Sequence, residues 1–310
     1  NPTMGEEWRR GWHPERIAVY PKRETALVIG GGPAGLEAAL TLGRRGLEVT
    51  LAEAGDTFGG RLLREATLPG LATWMRVRDW RLTMLAKLPN VQLFPASRMG
   101  VADVAEFGAD HVVVATGSRW RRDGVGVYAI RPGTFPDALT PDDVVAGMAL
   151  SGPVVIYDDE HYFMAGALAE RLAQQGLQVT YVTTAAVVSC WTVLTNEQDF
   201  LQARLIRAGV RIVTLRSLNS QHKGKVMLSC VYTGREEALP CGTLVLATGR
   251  LPDDTLWHDL AAQGVRATRI GDCLAPSSIA DAVHSAHRYA RLLGEPDVPP
   301  RRERAPERSL

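Results

Sequence analysis

The chain has 310 residues, enough for about two domains of roughly 150 residues each and for a large buried core. Its 35 Lys+Arg against 34 Asp+Glu leave a formal net charge of +1, which argues against nucleic acid as a partner, and 45% hydrophobic against 22% charged residues excludes a disordered chain. No apolar run reaches the ~18 residues of a membrane span, so no membrane partner is expected.

The start, Asn1 to Glu7, is polar and unlike a signal peptide. The four cysteines, Cys190, Cys230, Cys241 and Cys273, include no Cys-x-x-Cys pair. This argues against a clustered zinc site, a thioredoxin-like pair or an iron–sulfur cluster held by this chain alone. Four reduced thiols in a cytoplasmic protein are expected. Because the chain begins with Asn rather than Met, a processed product or part of a longer chain is expected.

Residues 1–24 show no period and read as a lead segment or linker. An apolar run at 26–29 is followed by Gly30-Gly31-Gly32-Pro33-Ala34-Gly35, and Leu36, Ala39, Leu40 and Leu42 then recur at helical spacing. Residues 47–51 form the next strand, so a strand–Gly loop–helix–strand unit with a parallel sheet is predicted. A helix over 72–88 and strands at 91–94 and 111–115 follow. Thr140-Pro141-Asp142-Asp143 reads as a helix start, with Thr as cap and carboxylates at the positive end. After Gly152-Pro153 the order restarts: a strand at 154–157, a helix at 162–175 and a strand at 177–183. A helix at about 197–208, a strand at 210–214, alternating runs near 225–232 and a buried strand at 244–249 come next. A last helix spans about 277–292, and 296–310 reads as a disordered tail.

Gly30, Gly32 and Gly35 make a GxGxxG pattern. The first allows a tight turn, the second lets the backbone approach a pyrophosphate, and the third permits close helix–strand packing. The helix N-terminus offers its free N–H groups to phosphate. Glu53 ends the next strand, 23 residues after Gly30, where a carboxylate can accept an adenosine ribose. Gly59-Gly60 follows, with Arg61 beside it as a phosphate or ribose candidate. Two strands end alike, in Ala115-Thr116-Gly117 and Ala247-Thr248-Gly249, and Ile270-Gly271-Asp272 precedes the last helix.

This order resembles the two-dinucleotide-domain flavoproteins of the glutathione-reductase type over residues 25–295. The resemblance implies an α/β fold of two Rossmann-like dinucleotide-binding domains, the second inserted in the first. It places Asp272 on the ribityl chain of FAD, Gly60 in the same groove, and the Ala-Thr-Gly strands at the crossings between domains. The expected organisation is a lead segment 1–24, an FAD/ADP-binding domain 25–150 plus 245–295, an NAD-like domain 151–244, and the tail 296–310. The cofactor-binding candidates are Gly30, Gly32, Pro33, Ala34, Gly35, Glu53, Ala54, Gly60, Arg61, Leu62, Ala115, Thr116, Gly117 and Asp272. No catalytic residue and no metal ligand is assigned.

Where a second Gly loop belongs, the chain reads Tyr157-Asp158-Asp159-Glu160-His161-Tyr162, with no glycine. Three adjacent carboxylates would repel a pyrophosphate. A metal site is the functional alternative, but consecutive residues on a turn cannot all face one ion. A domain that binds no NAD is the favoured reading. Asp281, His284 and His287 on the last helix could suggest metal ligands; a solvated or interdomain helix face is favoured. Arg119, Arg121 and Arg122 could touch phosphate or lie in a solvated loop.

The lead segment Asn1–Glu15, Tyr162-Phe163-Met164-Ala165, Leu68-Pro69-Gly70-Leu71 with Trp74, Trp257, and Gly271-Asp272 followed by Ala275-Pro276 and Ile279-Ala280-Asp281-Ala282 are similar to a narrower group. These are the trimethylamine, dimethylamine and histamine dehydrogenases with the related N-methyl amino-acid demethylases, and more distantly 2,4-dienoyl-CoA reductase. The resemblance implies that this chain is their C-terminal nucleotide-binding half, holding ADP or FAD. FMN, a [4Fe-4S] cluster and amine oxidation would lie on a TIM-barrel domain or subunit, with Trp8 and Trp12 at the seam or packed internally. It further implies electron delivery to an external electron-transfer flavoprotein. The isolated chain is then expected to be inactive. Two alternatives stand beside this reading: a self-sufficient FAD-dependent NAD(P)H reductase, and a structural ADP-binding module.

Overall fold

The computed structural model describes residues 2–295; the tail expected at 296–310 lies outside the described residues. In chain order the elements are α1 (Glu6–Arg10), β1 (Thr25–Ile29), α2 (Pro33–Arg44), β2 (Glu48–Ala52), α3 (Leu62–Glu65), α4 (Met75–Leu85), β3 (Val91–Phe94), α5 (Val101–Phe107), β4 (His111–Val114) and β5 (Ser118–Trp120). Then come α6 (Pro141–Val145), β6 (Val154–Asp158), α7 (Phe163–Gln174), β7 (Val179–Thr183), α8 (Gln198–Arg207), β8 (Arg211–Val213), β9 (Arg216–His222), β10 (Lys225–Cys230) and β11 (Glu236–Pro240). β12 (Thr243–Ala247), β13 (Arg250–Pro252), α9 (Thr255–Ala262), β14 (Thr268–Arg269) and α10 (Ile279–Leu292) complete the described chain.

The chain divides into two compact units. Among the described residues the first comprises 2–60, 78–117 and 254–295; the second comprises 61–77 and 118–253. These limits differ from the sequence-based division, because Leu68 and Leu71 pack in one cluster with Val144, Phe163 and Ile156.

The first unit is built on a five-stranded sheet in the order β14-β4-β1-β2-β3, with every pairing parallel. Parallel strands carry helices on both faces, so their sequences read as unbroken apolar runs. β1 shows this. Ala26 and Val28 face one cluster with Leu36, Leu40 and Ala286. Leu27 and Ile29 face another with Val112, Val114 and Leu260.

The lead segment folds onto this unit. Glu6 is buried and meets Arg288 at 3.2 Å, and Arg291 donates to the carbonyls of His13 and Arg16. Buried Arg45 donates to the carbonyls of Ala290, Arg291 and Leu293, closing the C-terminal end of α10 where helix carbonyls lack partners. The guanidinium groups of Arg10 and Arg291 lie 5.3 and 5.5 Å from the Trp12 ring centroid, while Trp8 is 89% exposed.

The second unit repeats the plan on a four-stranded parallel sheet in the order β12-β6-β7-β8. A bridge from Leu139 to Val245 extends it. Val154 and Ile156 of β6 face α7, and Val155 and Tyr157 face the antiparallel sheet β11-β10-β9 through Val226, Leu228 and Leu239. The alternating run expected near 225–232 is the middle strand of that sheet. β5 and β13 form a separate antiparallel pair. No helix among the described residues is long and apolar enough to cross a membrane.

Candidate functional site

The Gly30–Gly35 loop joins the C-terminal end of β1 to α2. At Gly30, φ is +105°, and a Cβ would lie 2.4 Å from the Ala115 carbonyl oxygen. At Gly35 a Cβ would lie 1.8 Å from the Gly30 carbonyl oxygen. Both glycines are therefore required by packing. Gly32 differs. Its φ of −74° suits any residue, and a Cβ there would meet nothing within 4 Å.

Gly32 is the N-cap of α2, with Pro33 opening the helix. Leu36 makes the first helical bond, to the Gly32 carbonyl. The N–H groups of Ala34 and Gly35 precede that bond and face the N-terminal end of the helix, where its dipole favours an anion. The loop thus pairs an amide donor set with open space at Gly32, the combination that a pyrophosphate requires.

Glu53 stands one residue beyond β2. Its Oε2 accepts the Gly31 N–H at 2.6 Å and its Oε1 accepts the Gly55 N–H at 2.7 Å. An ionised carboxylate has about four lone-pair sites, so two backbone bonds orient it and leave capacity for ribose hydroxyls. Ala54 follows it directly. A Cβ on Gly31 would lie 2.4 Å from the Phe58 ring, and Gly59 donates to the Gly31 carbonyl at 2.8 Å. Gly31 is therefore fixed by its neighbours, a role the GxGxxG pattern does not assign. Gly60 approaches Gly32 closely: a Cβ on it would lie 3.1 Å from the Gly32 Cα.

Ala115 continues β4 beside the loop, and its N–H bonds the Ile29 carbonyl at 2.8 Å. Thr116 donates to Cys273 Sγ at 3.2 Å, and Gly117 has φ +84°. Asp272 follows Gly271, on which a Cβ would lie 2.6 Å from the Ala34 Cβ; its Oδ1 accepts the Ser277 N–H at 3.1 Å. Gly30, Gly32, Pro33, Ala34, Gly35, Glu53, Ala54, Gly60, Ala115, Thr116, Gly117 and Asp272 all belong to the first unit.

Arg61 and Leu62 fall in the second unit. Leu62 is buried in α3. The Arg61 guanidinium is held by Glu65 at 2.8 Å and Asp142 at 3.1 Å, over the Trp120 ring. Arg121 pairs with Asp123 and Arg122 with Asp143, so these arginines are held by carboxylates of the same unit.

A buried network under α2 lay beyond sequence reasoning. Glu37 accepts from Arg81 Nε at 2.8 Å, Thr41 at 3.1 Å and His287 Nδ1 at 2.8 Å. Arg291 donates to His287 Nε2, which fixes the proton of a neutral ring on Nδ1, toward Glu37. Burial opposes the charge of Glu37, but the His287 hydrogen bond and the Arg81 guanidinium outweigh it and hold its carboxyl below the usual range. His284 and His287 are 2% and 1% exposed, which corrects the expectation of a solvated face, and they meet Glu6 and Glu37 of the same unit. Among the described residues no group of three or more His, Cys, Asp or Glu could hold a metal ion.

The second turn, after β6, is filled by the chain itself. Asp158 accepts the His161 N–H at 2.9 Å and the Tyr181 hydroxyl. Asp159 accepts the N–H groups of Tyr128 at 3.0 Å and Ala129 at 2.9 Å. The Asp159 carbonyl takes the Val127 N–H, and a Cβ on Gly126 would lie 2.5 Å from Asp159 Oδ2. Residues 125–129 thus lie directly against the turn. Both aspartates are fully buried, with the His161 ring 3.6 Å from Asp158 and 3.4 Å from Asp159. Burial works against the imidazolium, yet the bonds to Asp158 and Asp159 prevail and raise its pKa to about 9.

A family model described as pyridine nucleotide-disulphide oxidoreductase matches residues 24–138, and one described as the OYE-like second alpha/beta domain matches residues 139–245. Dimethylamine dehydrogenase of Hyphomicrobium sp. (strain x) is 33% identical over 335 residues, covering 96% of this chain and 45% of that protein. The solved structure of histamine dehydrogenase from Rhizobium sp. 4-9 superposes with a TM-score of 0.92 at 44% identity, over 96% of this chain and 48% of that one. That of 6-hydroxypseudooxynicotine amine oxidase from Pseudomonas geniculata N1 gives 0.91 at 43% identity, over 95% and 45%. The chain spans about half the length of the relatives it matches. With its two Rossmann-like units, the chain is a homologue of the dimethylamine and histamine dehydrogenases across that half.

Proposed function

We propose that this chain is the nucleotide-binding part of an amine dehydrogenase or N-demethylase-type oxidoreductase, acting in the cytoplasm. The first unit holds FAD or ADP. The backbone of Gly30, Gly32, Pro33, Ala34 and Gly35 receives the pyrophosphate, and Glu53 with Ala54 receives the adenosine ribose. Gly60, Ala115, Thr116, Gly117 and Asp272 complete the same groove. The observation that carries this reading is the contrast within the loop: Gly30 and Gly35 are locked by packing, while Gly32 faces open space above free amide donors. If the nucleotide is FAD it supplies a two-electron carrier; if it is ADP it supplies none.

FMN, a [4Fe-4S] cluster and the amine chemistry belong in this reading to a barrel domain or subunit, with an electron-transfer flavoprotein as the outlet. The similarity to amine dehydrogenases over only about half their length supports that division. The second unit takes no pyridine nucleotide, because Asp159 and residues 125–129 occupy the turn.

Dye-linked assays of the chain alone test this. No turnover is expected with trimethylamine, dimethylglycine or sarcosine, and turnover without a barrel partner would sink the reading. An absorption spectrum of the purified chain, with or without flavin bands, distinguishes FAD from ADP.

A further inference from the structure

A ligand binds less tightly to a loop that it must first put in order than to one already held in the receiving shape. The Gly30–Gly35 loop is bordered by residues 58–60. The Phe58 ring packs against Gly31, the Gly59 N–H bonds the Gly31 carbonyl at 2.8 Å, and Gly60 lies against Gly32. Residues 53–61 belong to no helix or strand, so contacts from elsewhere in the chain must fix this stretch. Gly59 and Gly60, at φ of +136° and +56°, are the residue type with the most backbone freedom to lose.

Helix α4 supplies such contacts. Arg78 donates from Nε to the Phe58 carbonyl at 2.6 Å, and its Nη1 meets Asp79 at 2.8 Å. One turn on, Arg81 bonds Glu37 of α2 from Nε at 2.8 Å and from Nη2 at 2.7 Å. Leu85 of α4, Leu36 of α2 and Phe58 share one apolar cluster. α4 is thus tied to both segments that border Gly32: the helix that offers the amide donors, and the stretch that carries Gly59 and Gly60. All of these residues belong to the first unit. We propose that Arg78 is a positioning residue for the nucleotide: its bond to the Phe58 carbonyl holds residues 58–60 against Gly31 and Gly32 and keeps the diphosphate seat in its receiving shape. This rests on the nucleotide reading of the loop and adds to it a residue outside the glycine pattern.

The role is indirect. The Arg78 Nε–H is engaged by the Phe58 carbonyl, and the Asp79 carboxylate offsets the guanidinium charge. What Arg78 supplies is order in the free protein, which spares the ligand the entropy of fixing two adjacent glycines. The effect falls on the diphosphate, because residues 58–60 adjoin Gly32 at the end of α2 that carries the free N–H groups of Ala34 and Gly35. Glu53, toward the ribose, is held by its own bonds from the Gly31 and Gly55 N–H groups.

Two substitutions of similar length separate the hydrogen bond from the charge. The Gln Nε2 is attached to Cδ as the Arg Nε is, so Arg78→Gln keeps a donor in the same place without the charge, whereas Arg78→Met has neither. Calorimetric titration of the full 310-residue chain, stripped of nucleotide, with ADP and separately with adenosine reads the effect, and thermal melting checks that each variant folds. Arg78→Met should bind ADP about tenfold more weakly with adenosine affinity unchanged, and Arg78→Gln should stay within about twofold of the unsubstituted chain for both ligands. Full ADP affinity in Arg78→Met would overturn the proposal. So would an equal loss for ADP and adenosine, the mark of a general structural role. A loss in Arg78→Gln as large as in Arg78→Met would also overturn it, the charge then acting on the ligand directly. Should Arg78→Met not fold, Arg78→Gln still decides: retained ADP affinity supports the proposal and a tenfold loss defeats it. Absence of ADP binding by the unsubstituted chain is the separate result that defeats the nucleotide reading itself.

Discussion

The turns after β1 and β6 occupy equivalent places in two similar sheets, yet they solve the same electrostatic problem in opposite ways. Each leads from a buried parallel strand into a helix N-terminus. In the first, the glycines at 30 and 35 bring backbone together, and amide donors are left facing open space at Gly32. In the second, Asp158 and Asp159 put the anion into the protein, and its partners are the chain's own Tyr128, Ala129, His161 and Tyr181. In the proposed reading one turn receives an anion, while the other already holds carboxylates of the chain itself, so nucleotide binding is absent there without a change of fold.

The comparison can be broken most severely at Asp159. Asp159→Ala leaves the backbone N–H groups of Tyr128 and Ala129 without their acceptor and removes one counter-charge of the buried His161. A loss of about 3–5 kcal/mol in denaturant unfolding is expected, with no gain of nucleotide affinity. Gly35→Ala forces a Cβ into the Gly30 carbonyl. It should cost about 3 kcal/mol and abolish ADP binding, measured by thermal melting with and without ADP.

The His161 imidazolium gives the second turn a pH signature. Its pKa is raised from 6.5 to about 9 in the fold, so its stabilisation is complete below about 6.5 and is lost as pH rises through 9. Unfolding free energy should fall by about 2–3 kcal/mol across that window, and His161→Gln should flatten the profile. An equal slope in the variant would count against the buried imidazolium. The smallest effect is expected at Glu53, which touches the ligand rather than the fold. Glu53→Ala should weaken ADP binding by about 1.5–3 kcal/mol, roughly ten- to a hundredfold, in a calorimetric titration.

Much of this was legible in the sequence where the signal is local. The apolar runs of β1 and β6 announce strands buried on both faces, and Gly30, Gly32, Gly35 and Glu53 sit within one strand–helix–strand unit. What was not legible depends on partners far along the chain. The Asp159 carboxylate finds Tyr128 and Ala129 about thirty residues earlier, in a stretch with no period. Glu37 meets His287 across 250 residues, so the sequence offered His287 no partner and its helix face read as solvated or interdomain. Arg61 adjoins Gly60 in sequence, but its charge is taken by Asp142, 81 residues away. Neighbourhood in sequence locates a backbone turn well and the destination of a long charged side chain poorly.

In the proposed reading one turn per chain accepts a nucleotide, and its openness at Gly32 is the reason. Calorimetry of the nucleotide-stripped chain with ADP, beside Gly32→Val, tests this most directly. The φ of −74° at Gly32 and the open space around it predict that the variant folds normally, while its side chain bars the pyrophosphate. One ADP per chain is expected, lost in Gly32→Val without loss of thermal stability. A second equivalent of ADP, or full ADP affinity in Gly32→Val, would contradict it.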